Sequence, residues 1–275
     1  MARTSAPPSG GDVDRCTELS LNPSAVRTRL CRFIRRGCAS AGRRRAVLGL
    51  SGGLDSAVVC YLAAEALGPE NVLAVTMPYA TSSPASLADA LEVVARTGVQ
   101  RQHVDITPFV DPLFAALPDM DRRRKGNAMA RARMIVLYDR SEAFQGLVLG
   151  TGNKTEILLG YSTLYGDSAC ALAPIGDLYK TQVRQLAAAL NVPESILAKP
   201  PTADLWPGQT DEDDLGLTYA EADAILHLLF DARLSPAQVQ NRGYREEAVR
   251  RVCDLVRKNR FKRRLPRVAR IGAGA

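Results

Sequence analysis

The sequence predicts an α/β fold, a parallel twisted sheet with helices on both faces. Three observations carry this. Short apolar runs rich in β-formers recur along the chain, and a strand buried on both faces reads that way. Stretches of helical periodicity follow these runs, so strands and helices alternate. Polar residues with evident chemistry, at 51–56, 76–77 and 151, fall directly after the runs, at the carboxyl ends of strands, where such sheets collect ligands.

In chain order, residues 1 to about 20 are rich in Ser, Pro and Gly and are predicted to be disordered. They lack the apolar core of a secretory signal. From Ser24 to Ser40, Val26, Leu30, Phe33 and Ile34 recur at helical spacing and predict an amphipathic helix. A strand over Ala46–Leu50 precedes a helix over Asp55–Leu67. A second strand, Val72–Thr76, precedes a helix over Pro84–Thr97. A shorter strand, Gln102–Ile106, then a helix over Asn127–Phe144 and a strand over Leu147–Gly150, complete the alternation. Loop-rich sequence follows Thr151, then a helix over Asp177–Leu190. Lys199–Gly216 holds three prolines, two glycines and five acids and reads as a mobile loop. Helices over Thr218–Phe230 and Tyr244–Lys258 close the chain, and residues 21–270 are expected to form one domain.

Composition narrows the function. Hydrophobic residues make up 46% and charged residues 24%, as in ordinary globular proteins, and no apolar run is long enough to cross a bilayer. Six cysteines without a CxxC pair read as reduced thiols in a cytoplasmic protein. Much of the excess behind the net charge of +7 is spread over three separate places, Arg43–Arg45, Arg122–Lys125 and Arg250–Arg270. A dispersed balance of this kind reads as a solvated surface or a partner for a phosphorylated small molecule, rather than as a nucleic-acid face. The two histidines, His103 and His227, fall in no motif and read as surface or packing residues.

The most informative stretch is Leu48-Gly49-Leu50-Ser51-Gly52-Gly53-Leu54-Asp55-Ser56. Amides at a helix start, with about half a positive charge from the dipole, surround an anion readily. Gly52 and Gly53 let the main chain approach a phosphate, and Ser51 and Ser56 add hydroxyls. Asp55 repels a bare phosphate, so it implies a divalent cation between carboxylate and phosphate oxygens. The lysine of a Walker A loop is absent, which excludes the kinase and GTPase loop.

Four further segments follow in order. They are Lys125-Gly126-Asn127-Ala128-Met129-Ala130-Arg131-Ala132-Arg133-Met134; Leu149-Gly150-Thr151-Gly152-Asn153-Lys154-Thr155-Glu156 with Gly160-Tyr161-Ser162-Thr163-Leu164-Tyr165-Gly166-Asp167; Pro174-Ile175-Gly176-Asp177-Leu178-Tyr179-Lys180-Thr181-Gln182-Val183; and Pro201-Thr202-Ala203-Asp204-Leu205 with Gln209-Thr210-Asp211-Glu212-Asp213. Together with the first, they resemble the NAD synthetase family, within the N-type ATP pyrophosphatases, from about Val26 to Pro266.

The resemblance implies an adenine nucleotide alpha hydrolase-like, Rossmann-like sheet and a ligase. ATP adenylates nicotinic acid adenine dinucleotide with release of pyrophosphate, and ammonia displaces AMP to give NAD. It implies ATP contacts at Gly49, Leu50, Ser51, Gly52, Gly53, Leu54, Asp55, Ser56, Met77, Thr151, Lys180 and Thr202. Magnesium would lie on Asp55 and Glu156, with Asp55 and Lys180 as the catalytic pair. It places the dinucleotide against Arg131, Leu164, Ala171 and Lys262, and it implies a homodimer.

Two departures stand out. Leu164 occupies a position where many ammonia-using members have Lys, and Ala171 one where they have Asp. The run Thr163–Ala171 is closer to glutamine-using members, yet no glutaminase domain accompanies it, so ammonia is expected free or from a separate protein. An amide ligase acting on another carboxylate, and a tRNA-modifying ATP pyrophosphatase, remain open at this point.

Overall fold

The computed structural model describes residues 19–202, 206 and 210–269. The predicted disorder of residues 1–18, Cys16, the run Ala203–Leu205 and Gln209 lie outside the described residues. Four strands, β1 (Arg45–Gly49), β2 (Val72–Thr76), β3 (Gln100–His103) and β4 (Gly146–Val148), form one parallel sheet in the order β3-β2-β1-β4. Leu149 pairs in parallel with Leu172 and extends the pairing beyond β4.

The apolar runs are explained by burial on both faces. Ala46, Leu48 and Leu50 enter one core, while Val47 enters the other. On β2 the same alternation sends Val72 and Ala74 one way and Leu73 and Val75 the other. The first core is covered by α1 (Pro23–Ser40), α2 (Leu54–Leu67), α3 (Pro84–Thr97) and α7 (Lys180–Ala189). The second is covered by α4 (Thr107–Ala116) and α5 (Arg122–Phe144). A third, sheet-free cluster joins α6 (Lys154–Leu159), α9 (Asp211–Leu215), α10 (Tyr219–Leu226), α11 (Pro236–Asn241) and α12 (Glu246–Lys258). No described helix is long and apolar enough to cross a membrane.

Several boundaries move, each for a local reason. Strand β3 spans Gln100–His103 instead of Gln102–Ile106, because an edge strand tolerates polar residues. Val104 and Ile106 continue the hydrogen bonding to Thr76 and Pro78 without strand geometry, and Ile106 plugs the second core. Helix α5 starts at Arg122, where the Asp121 carboxylate accepts from Arg124 N at 2.7 Å. Helix α7 starts at Lys180 and not Asp177, since tight turns at Ala173–Gly176 and Ile175–Leu178 precede it. Helix α10 ends at Leu226 and passes into one π turn, His227–Asp231. Helix α12 starts at Glu246, two residues after Tyr244.

Four short helices escaped the periodicity reading: α4 with Pro112 inside it, α6, α8 (Glu194–Leu197) and α11. The span Lys199–Gly216 was expected to lack regular structure, yet it contains α9, capped by Thr210 Oγ1, which accepts from Asp213 N at 3.2 Å.

Candidate active site

A cleft of about 970 Å³ opens at the carboxyl ends of β1, β2 and β4. Its floor is the turn from β1 into α2. Gly52 is buried with φ +79°, and a Cβ there would stand 2.0 Å from the Ser86 carbonyl oxygen of α3. Only glycine fits, so the reason for this glycine is contact with α3 and not only approach of a phosphate. Gly53 has φ −91° and meets only Ser51 Oγ, at 3.3 Å. It is the glycine that leaves room on the cleft side. The two serine hydroxyls lie 3.1 Å apart and fix the turn. Ser56 Oγ accepts from Ser51 N and donates to the Gly53 carbonyl, and Ser51 Oγ accepts from Gly53 N. No side chain caps α2, which leaves the start of that helix for an anion.

Above this turn stands a cluster built from three helix starts. Asn153 caps α6 by accepting from Glu156 N at 3.0 Å, while Glu156 Oε2 accepts from Asn153 N. Asn153 Nδ2 then donates to Asp55 Oδ1 at 3.1 Å, tying α6 to the first turn of α2. Lys180, the first residue of α7, donates from Nζ to Asp55 Oδ2 and stands 3.4 Å from Glu156 Oε1. Its side chain is only 7% exposed, and its ammonium lies 5.2 Å from the centre of the Tyr219 ring. The main chain beneath is fixed as well. Lys180 N donates to Thr155 Oγ1, which donates to Asp223 Oδ1 at 2.5 Å, while Thr181 N donates to Asp223 Oδ2 at 2.8 Å. Asp211, buried on α9, accepts from the hydroxyls of Tyr161 and Tyr219, both at 3.1 Å.

The electrostatics follow from one ammonium among three carboxylates. Burial pushes Glu156 up to about 8, against the pull of Lys180 and helped by Asp55 and Asp211. Burial also raises Asp211, with Lys180 opposing. Burial works against the charge on Lys180, but Asp55 and Glu156 overcome it and hold the ammonium above the ordinary lysine range. Burial pushes Asp223 up to about 6, although Thr155 and Thr181 hydrogen-bond its ionised form. Fully ionised, the three carboxylates would outnumber the one ammonium, so the cluster favours either a proton on Glu156 or a further cation. The donors are hard oxygens, two of them on carboxylates that share one cation, a set that suits a hard divalent ion completed by phosphate oxygens and water. No group of three or more His, Cys, Asp or Glu that could hold a metal ion by itself occurs among the described residues.

Of the residues singled out in the sequence, Gly49 to Ser56, Met77, Thr151, Glu156, Lys180, Thr202, Arg131, Leu164 and Lys262 all line this one cleft. Ala171 does not. It is exposed outside the cleft, with its N–H on the Val148 carbonyl. Arg131 donates through Nε and Nη2 to the Leu164 carbonyl, both at 3.3 Å, so its contact is with the main chain of residue 164. Lys262 donates to the carbonyls of Gly160 and Ser162 at 2.7 and 2.6 Å, and burial lowers its pKa. Arg133 donates to the Met77 carbonyl at 3.0 Å. His103 bonds Thr76 and His227 bonds Asp231, and neither lines the cleft. Sequence reasoning gave no role to Asn153, Tyr161, Asp211 or Tyr219. The spacing of Asn153 and Glu156 is a legible capping box; the others carry no local signal.

The model of the NAD synthase family matches residues 26–266, the whole stretch over which the five motifs run. This chain belongs to that family. It is 52% identical over 255 residues, 93% of each chain, to the NH(3)-dependent NAD(+) synthetase of Trichlorobacter lovleyi. Among solved structures it resembles an NH3-dependent NAD synthetase from Campylobacter jejuni, with TM-score 0.79 and 33% identity over 91% of this chain and all of the other. It also resembles an NMN synthetase from Francisella tularensis, with TM-score 0.82 and 31% identity over 92% of this chain and all of the other. Membership of the NAD synthase family agrees with the parallel sheet and with a ligand cleft at its carboxyl edge.

Proposed function

We propose that this chain is an ammonia-dependent NAD synthetase. The observation that carries the reading is the Lys180 ammonium, buried between Asp55 and Glu156 directly above the Ser51–Ser56 turn. That geometry suits phosphates brought against an acid. A carboxylate resists nucleophiles because it is charged. When its oxygen attacks the α-phosphorus of ATP, the bond to pyrophosphate breaks and an acyl adenylate forms. Ammonia then attacks the acyl carbon, AMP departs with one former carboxylate oxygen, and a proton is released to water. The main barrier is bringing anions together, which calls for fixed positive charge and positioning. Lys180 supplies that charge on the pyrophosphate side, and the start of α2 supplies amide dipoles. Asp55 and Glu156 would hold magnesium, which neutralises phosphate charge when bound. Arg131 and Lys262 face the dinucleotide, with Met77, Thr151 and Thr202 on ATP.

Assembly as a homodimer is supported by apolar side chains exposed on α4 and α5, among them Phe109, Leu113, Ile135 and Tyr138. Phe109, Leu113 and Ile135 border a groove that shares Asn127 and Arg131 with the cleft, so a second copy seated there adjoins the dinucleotide side. The five free cysteines among the described residues support a cytoplasmic location.

A second reading, amidation of nicotinate mononucleotide, is favoured by the resemblance to the Francisella tularensis NMN synthetase. One assay separates them. Purified protein receives ATP, magnesium and ammonium with either the deamidated dinucleotide or the mononucleotide. The expected result is NAD, AMP and pyrophosphate from the dinucleotide, lost in Asp55→Ala and Glu156→Ala. Turnover confined to the mononucleotide, or release of ADP and orthophosphate, overturns the reading.

A further inference from the structure

The carboxylate of Asp89, buried on α3, holds two groups from a distant part of the chain: Ser195 Oγ at 2.8 Å and Lys199 Nζ at 2.6 Å. Lys199 opens the run Lys199-Pro200-Pro201-Thr202, all four residues of which line the cleft. The Pro201 carbonyl then accepts from Asp211 N at 3.1 Å, and Asp211 lies under the Tyr161 and Tyr219 hydroxyls beside Lys180. One turn before Asp89, α3 presents the Ser86 carbonyl against which Gly52 is pressed, and Lys199 Nζ also stands 3.4 Å from Ser86 Oγ. A continuous line of contacts thus runs from the phosphate turn through α3, Asp89, Lys199 and Pro201 to Asp211.

We propose that Asp89 is a positioning residue for ATP. Its ion pair with Lys199 sets where Lys199–Thr202 lies over the phosphate turn. The inference rests on reading the cleft as an ATP site. An exposed ion pair contributes little, but Asp89 is mostly buried, and removing one partner strands the other's charge. The two prolines fix φ across the link, so a shift at Lys199 is transmitted to Thr202 rather than absorbed. The Ser195 hydroxyl completes the carboxylate's hydrogen bonding from α8.

The test is a double-mutant cycle on the full chain with magnesium and a non-cleavable α,β-methylene ATP, read by calorimetry and paired with steady-state kinetics. Asp89→Asn, Lys199→Met and the double variant are each expected to weaken binding and raise KM for ATP about tenfold, equivalent to a coupling of ~1.4 kcal/mol. In all three, kcat at saturating ATP should stay within about twofold, a split that general loss of structure does not produce. The double variant removes both charges together and is expected to fold even if a single variant does not, since no lone charge is left buried. Ser195→Ala should act in the same direction, more weakly. Weakening by Lys199→Met with unchanged or tighter binding in Asp89→Asn makes Lys199 a direct phosphate contact and overturns the proposal. Unchanged binding in the double variant overturns it equally. The nucleotide cycle is readable whichever acid is amidated, so failure of the NAD synthetase reading is distinguishable from failure of this one.

Discussion

At the end of the cleft proposed for the phosphates, Lys180 is buried and shared between Asp55 and Glu156, and each helix start that contributes is capped or bonded to another. At the end proposed for the acid substrate, Arg131 and Lys262 are turned onto the neutral carbonyls of Leu164, Gly160 and Ser162. The difference teaches how one cleft serves two tasks. Mutually dependent buried charges hold a fixed electrostatic environment for phosphoryl chemistry. Cations resting on carbonyls surrender those contacts to an anionic ligand at small cost, and so suit recognition of a particular acid.

The sharpest way to break this contrast is Lys180→Met. It leaves Asp55 and Glu156 facing each other without their shared cation, and amide formation in a single turnover should fall by at least about a thousandfold. Survival of substantial turnover would show that the phosphate end does not depend on this charge.

The glycine pair gives the next contrast, within the phosphate turn itself. Gly52→Ala meets both a left-handed φ of +79° and the Ser86 carbonyl, and should lower stability by about 3 kcal/mol in denaturant unfolding. Gly53→Ala, at φ −91°, should leave stability nearly unchanged and raise KM for ATP instead. Equal stability losses would remove the distinction between a packing glycine and a ligand-facing one.

Acidity probes the buried end without mutation. Glu156, at about 8, and Asp223, at about 6, both bind protons more readily folded than unfolded, where 4.5 and 3.8 apply. Their contribution to stability is complete below about pH 4 and is lost as pH rises, first through Asp223 and then through Glu156. Urea midpoints of the metal-free protein at about pH 5, 7 and 9 should fall in that order from these groups, and magnesium should diminish the upper part of the fall. Stability rising between the upper two values without metal contradicts a Glu156 whose proton is held by burial.

The smallest effect is expected at Leu164. Arg131 contacts its carbonyl and not its side chain, so Leu164→Ala should change KM for the dinucleotide by no more than about twofold. A large change would assign the leucine side chain a direct part in choosing the acid.

Most of the sheet was legible in the sequence, as was the gathering of the Ser51–Ser56 turn, Glu156 and Lys180 along one cleft. Strands β1 and β2 are continuous apolar runs because both faces are buried, and a Gly-Gly turn before Asp55 is a local signal. Glu156 entered through the family resemblance, and Asn153, given no role there, could have been found by its capping-box spacing to Glu156. What was not legible depends on contacts between residues far apart in sequence. Asp211 meets Tyr161 across fifty positions, and Asp89 meets Lys199 across one hundred and ten. Helix α4 was hidden by Pro108 and Pro112, and α6, α8 and α11 are too short to show a period. Ala171 stands apart from the other singled-out residues: its place in a motif says nothing about whether its loop faces the cleft, and with its N–H on the Val148 carbonyl it does not line it.

Transfer of oxygen tests the chemistry at the Lys180 cluster most directly. Deamidated dinucleotide labelled with heavy oxygen in its nicotinate carboxylate is turned over with ATP, magnesium and ammonium, and the products are weighed by mass spectrometry. One labelled oxygen per turnover should appear in the phosphate of AMP, as an acyl adenylate requires. Label in orthophosphate, or AMP released without label, contradicts adenylation of the acid in this cleft.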